Sequence, residues 1–111
     1  MPVHTFTQPR GEFVSLSIDS AALRDNLLGD PTTRQVLVYL PAGYRDSRDH
    51  YPAFYDLASF SSSGLRRVAW TGFGESVPQR LDRLVASGAM GPVIAVFPDC
   101  FTSLGGNQYI D

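Results

Sequence analysis

Three apolar runs without polar alternation constrain this chain most: Val36-Leu-Val-Tyr-Leu40, Ala53-Phe-Tyr-Asp-Leu57 and Val93-Ile-Ala-Val-Phe97. A strand with one wet face alternates apolar and polar residues, whereas near-continuous runs are expected where both faces of a sheet are covered. Each run is bounded by residues that stop or open a strand. Pro41 and Gly43 follow the first, Pro52 precedes the second, and Pro92 and Pro98 frame the third. Between the second and third runs, Ser76-Val-Pro-Gln79 has the form of a capping box. Val77, Leu81, Leu84 and Val85 then recur at helical spacing, and Gly88 supplies a stop. A helix between two buried strands predicts a right-handed crossover that leaves them parallel neighbours. The expected fold class is α/β.

The remaining segments fit around that unit. Phe13-Val-Ser-Leu-Ser-Ile18 places Val14, Leu16 and Ile18 on one face and Ser15 and Ser17 on the other, a half-exposed strand. Asp19 to Thr33 reads as a connection that turns at Gly29-Asp30-Pro31, and Gly43 to His50, with Arg45, Asp46, Arg48 and Asp49, as a solvated loop. Gly64 to Gly74 is rich in turn formers and carries Trp70 and Phe73. It reads as a loop that either lines a pocket or caps a core.

Composition excludes several classes of function. The 111 residues are 43% hydrophobic and 18% charged with a net charge of −2, which suits one globular domain or part of a larger one. All nine basic residues are arginines, dispersed from Arg10 to Arg83 with only Arg66 and Arg67 adjacent, so no nucleic-acid footprint is expected. No apolar run approaches the ~18 residues of a membrane-spanning helix. The N-terminus, Met1-Pro-Val-His-Thr-Phe-Thr, does not have the form of a secretory signal, which favours a soluble, cytoplasmic location. Cys100 is the single cysteine and only His4 and His50 accompany it, so neither a disulfide framework nor a metal site is expected. No cofactor motif is present.

The nearest approach to Gly-x-Ser-x-Gly is Gly74-Glu-Ser-Val-Pro78, in which Pro78 replaces the second glycine and no apolar strand precedes. Ser76 is better explained as the helix cap. Cys100 and Asp99 follow the third run at the strand end where α/β sheets bind ligands. For Cys100 the choice is a nucleophile or a small hydrophobe, and for Asp99 a ligand contact or a partner for loop N–H groups. Asp56, inside an apolar run, needs a polar partner. His4 and His50 fall in polar loops and read as solvated. The small-residue stretch Ser59 to Gly64, at the end of the second run, lets backbone N–H groups face a cleft as oxyanion donors, or is an ordinary Ser/Gly connection.

Taken in succession, Leu40-Pro-Ala-Gly-Tyr44, Tyr51-Pro with its apolar strand, the small-residue loop, Val93-Ile-Ala-Val-Phe-Pro-Asp99 and Gly-Gly-Asn-Gln-Tyr109 resemble the first third of an α/β-hydrolase-fold esterase. The group most resembled is the enterochelin-esterase-like and esterase-D-like family. The resemblance implies the N-terminal part of such a sheet, about four strands and one main helix. It also implies a small-molecule ester substrate. Ala58-Ser59 stands where that family usually carries His-Gly or Asp-Gly, so the backbone N–H of Phe60 is the implied oxyanion donor. Ser59 and Ser61 in the same loop, and Gln108 in the last motif, are the implied substrate contacts.

The family's nucleophile, acid and histidine fall, in their usual order, beyond the part that this chain resembles. The expectation is therefore that residues 1–111 are the N-terminal part of one hydrolase domain, continued beyond Asp111 and without a triad of their own. The competing expectation is a small noncatalytic α/β module that binds a ligand or partner at its strand ends.

Overall fold

The computed structural model describes residues 9–59 and 62–106. Among these residues four strands and two α-helices follow one another as β1 (Glu12–Asp19), β2 (Thr33–Leu40), β3 (Ala53–Tyr55), α1 (Gly64–Val68), α2 (Val77–Ala86) and β4 (Ile94–Pro98), with short 3-10 turns at Ala21–Leu23 and Tyr44–Asp46 in the connections. The strands form one mixed sheet in the order β1-β2-β4-β3. The alternating segment pairs antiparallel with the first apolar run, Val14 opposite Val38 and Leu16 opposite Val36. Strand β4 is central, antiparallel to β2 and parallel to β3. The parallel pairing of the last two strands is the one predicted for strands joined through a helix.

Local chemistry accounts for the element ends. In the β1–β2 connection, the Asn26 amide donates to Leu23 O at 2.8 Å and Asp30 O at 2.9 Å and accepts from Asp30 N at 2.9 Å, so one side chain holds the turn. Helix α2 opens with a complete capping box: Ser76 Oγ accepts from Gln79 N at 3.3 Å and Gln79 Oε1 accepts from Ser76 N at 2.8 Å. It closes as a Schellman motif, with Gly88 N–H donating to Val85 O and Ala89 N–H to Leu84 O. Gly88 has φ of 76°, a conformation that a side chain would strain.

Both helices lie on one face of the sheet. Leu81 of α2 packs with Tyr39, Ala95 and Phe97, and Val77 and Val68 border the same cluster. Helix α1 comes so close to β4 that a Cβ on Gly64 would stand 3.1 Å from Phe97 O. Beneath α2 the carboxylate of Asp82 accepts from the Tyr39 hydroxyl and, at 2.9 Å, from Gly11 N–H. Burial first, and the adjacent Asp82 carboxylate second, hold the Tyr39 phenol well above its ordinary value.

Three sequence expectations need correction. The second apolar run is not buried on both faces: among the described residues β3 is an edge strand paired only with β4, with Phe54 37% and Tyr55 67% exposed. It also stops at Tyr55, so Leu57 lies outside the sheet, and β4 begins at Ile94 rather than Val93. The stretch from Gly64 is not all loop, because its first five residues form α1. Trp70 and Phe73, at 61% and 79% exposure, cap no core.

Candidate functional site

The chain leaves β3 through one last ladder bond, Asp56 N–H to Val96 O at 2.9 Å. The Asp56 carboxylate then accepts from Arg67 Nε of α1 at 2.9 Å. This is the polar partner that a carboxylate inside an apolar run requires. The pair ties the exit of β3 to the helix that follows and brackets the intervening loop. Within the loop Ala58 is buried, Ser59 is exposed, and Ser59 O accepts from Ser62 N at 2.9 Å. Of the four residues singled out for oxyanion or substrate contacts, Ser59 is placed at this loop. Phe60, Ser61 and Gln108 lie outside the described residues.

A polar cavity of about 300 Å³ opens between this loop and the two helices. Ser59 and Ser62 form its loop side, Arg66 and Arg67 of α1 one wall, and Glu75, Ser76 and Arg80 at the start of α2 the other. Glu75 is clamped bidentately by Arg83, at 2.7 Å from Nε and 3.1 Å from Nη2, while Arg80 stands 3.8 Å away. The Arg83 hydrogen bonds hold the Glu75 carboxyl below the usual carboxylate range, against the opposing effect of partial desolvation. This meeting of Arg66, Arg67 and Arg80 is not legible in the sequence because twelve residues lie between Arg67 and Arg80. The available signal was the placement of Arg80 and Arg83 off the Val77/Leu81 stripe of α2, combined with an arginine pair just upstream.

The other candidates settle into structural positions. Asp99 follows β4, accepts from Phe101 N–H at 3.1 Å and faces Arg34 at 3.5 Å, so it organises the following loop. It also borders an apolar cavity of about 400 Å³ with Gln35, Leu37 and Phe97. Cys100 is half-buried and forms no disulfide. His50 precedes β3 whereas Cys100 follows β4, and these strands are parallel, so the two side chains lie at opposite ends of the sheet. They cannot form a nucleophile–base pair, which requires hydrogen-bond contact. Ser76 is engaged in its cap. His4 lies outside the described residues. Among those residues no group of histidine, cysteine and carboxylate side chains is disposed to hold a metal, and no helix is long and apolar enough to cross a membrane.

The fold and the loop at the carboxyl end of β3 together define a mixed α/β sheet with a strand-end cleft, the usual place for a ligand in this class. Among solved structures the chain is similar to a ferulic acid esterase, with 24% identity and a TM-score of 0.63 over 93% of this chain. The match takes in 34% of that protein, so the chain spans about a third of its length. At this identity the likeness shows a shared fold. No protein-family model matches the chain, and no curated protein matches it.

Proposed function

We propose that this chain is the N-terminal portion of a serine carboxyl-ester hydrolase of the α/β-hydrolase fold, of the kind resembling the enterochelin-esterase-like and esterase-D-like proteins. It supplies core strands and an oxyanion loop and lacks nucleophile, acid and histidine. The observation that carries this reading is the structural match, which aligns almost the whole chain with one third of a protein named as an esterase. The loop after β3 is the element that bears on chemistry. In this reading the N–H of Phe60 donates to the carbonyl oxygen of a small-molecule ester as it becomes an oxyanion, with Ser59, Ser61 and Gln108 lining the substrate. A backbone donor aimed at developing charge stabilises the tetrahedral intermediate without reorganising at the moment of reaction.

The test compares residues 1–111 with the polypeptide of the complete reading frame, each assayed on a short-chain nitrophenyl ester. The longer polypeptide turns the ester over and the 111-residue chain does not, because no described serine sits on an elbow beside a histidine. In the longer polypeptide Phe60→Pro, which removes the N–H, lowers kcat ~10²–10³-fold, while Phe60→Ala retains most of it. A reading frame that stops at Asp111, a longer product without turnover, or a proline variant as active as the parent would each overturn the proposal.

A further inference from the structure

We propose that the cavity between the Ser59 loop and the two helices is an anion site that takes a carboxylate or phosphate group of a small molecule, held by Arg66 and Arg80. The charges around it do not cancel. Arg67 is engaged by Asp56 at 2.9 Å, and Glu75, the one carboxylate lining the cavity among the described residues, is engaged bidentately by Arg83. That leaves Arg80 with a loose 3.8 Å contact to a carboxylate already doubly bonded elsewhere. The guanidinium of Arg66 has no partner among the described residues.

Two guanidinium groups in one concave space repel each other until an anion enters, and their planar donors match the paired oxygens of a carboxylate or phosphate. Ser59 and Ser62 border the same space, and a serine hydroxyl is a neutral donor. Ser76 and Val77 place the positive end of the α2 dipole against it, which also favours negative charge. At about 300 Å³ the cavity suits a small acid or a phosphate with its immediate substituent. The site stands on these contacts alone. Combined with the esterase reading, on which this extension rests, it places an anionic group on the ester substrate, bound beside the oxyanion loop.

The test measures binding by titration calorimetry to the polypeptide of the complete reading frame, using succinamate, inorganic phosphate and the neutral control succinamide. None of the three is an ester, so binding is read apart from turnover. Saturable binding of succinamate, of phosphate, or of both supports the site, and whichever binds assigns the anion. Arg66→Gln and Arg80→Gln should each weaken binding about tenfold, the scale of one charge-assisted hydrogen bond. Arg66→Lys, which keeps the charge and loses the planar fork, should bind more tightly than Arg66→Gln and less tightly than the parent, an order that loss of fold would not give. Arg48→Gln, which removes an exposed arginine outside the cavity, should leave it unchanged. The proposal is overturned if neither anion saturates, if succinamide binds equally well, or if Arg48→Gln weakens binding as much as Arg66→Gln. Anion binding without ester hydrolysis would sustain the site and refute the esterase reading. Hydrolysis without anion binding would do the reverse.

Discussion

On one face of the sheet Tyr39, Ala95 and Phe97 lie beneath Leu81 and are almost entirely withdrawn from water, whereas on the other Leu16 and Ile18 remain 45% and 48% exposed. Where β2 pairs with β4 both faces are apolar, while on β1 the helix-covered face carries Ser15 and Ser17. On the open side Val14 stands opposite Val38 and Val38 opposite Val96, a ladder as hydrophobic as the covered one. The difference is that α1 and α2 both pack on the first face, and no helix among the described residues crosses the second. Apolar patterning thus states what a face requires, and only packing states whether the requirement is met. A sheet face of this character is either a docking surface or the inner surface of a larger fold. The proposed hydrolase reading takes the second view.

The sharpest test of this contrast compares one truncation on each face. Phe97→Ala empties a site that is 2% exposed and should cost ~3–5 kcal/mol, while Leu16→Ala on the open face should cost less than ~1 kcal/mol. Denaturant unfolding of the two variants measures both. Equal losses would mean that the open face is covered after all.

A smaller effect probes the polar seam under α2. Tyr39→Phe removes the hydroxyl that donates to Asp82 and should cost ~1–3 kcal/mol. It should also alter the alkaline limb of the stability profile. Because the folded phenol titrates above its usual value of 10.0, the folded state favours the protonated form. That contribution is complete below the unfolded value and is lost as pH climbs above it towards the folded one. Stability of the parent should therefore fall more steeply above pH 10 than that of Tyr39→Phe, as read from unfolding midpoints across that range. Parallel profiles would show that the hydroxyl is not held as described.

The smallest effect concerns the entry to α2. Ser76→Ala deletes the cap acceptor for Gln79 N–H and should cost ~1 kcal/mol without affecting the β1–β2 pair, which amide exchange can report separately. Loss of protection in β1 as well would mean that the two regions unfold together.

How legible these regions were differs for physical reasons. Helix α2 carries its own signals, a cap, a stripe and a glycine stop, and it runs from Val77 to Ala86 between that cap and that stop. Helix α1 was missed because five residues span little more than one turn, too few for a 3.6-residue period to appear. Strand β3 begins at Ala53 as expected, but it is shorter and more exposed than its run of apolar residues suggests. The run Ala53-Phe-Tyr resembles that of a central strand, yet its position at the edge depends on partners remote in sequence.

By itself the sequence determined the α/β class, the positions of the four strands, the capped helix and the need of Asp56 for a polar partner, since each depends on interactions among near neighbours or on the intrinsic cost of burying a charge. The tertiary structure alone decided that β4 lies at the centre, that both helices share one face, and that Arg66 and Arg80 meet around one cavity. These outcomes join residues far apart along the chain. The free energies that select them, burial of Phe97 and Leu81 against each other and pairing of Asp56 with Arg67, arise only after the chain has closed on itself.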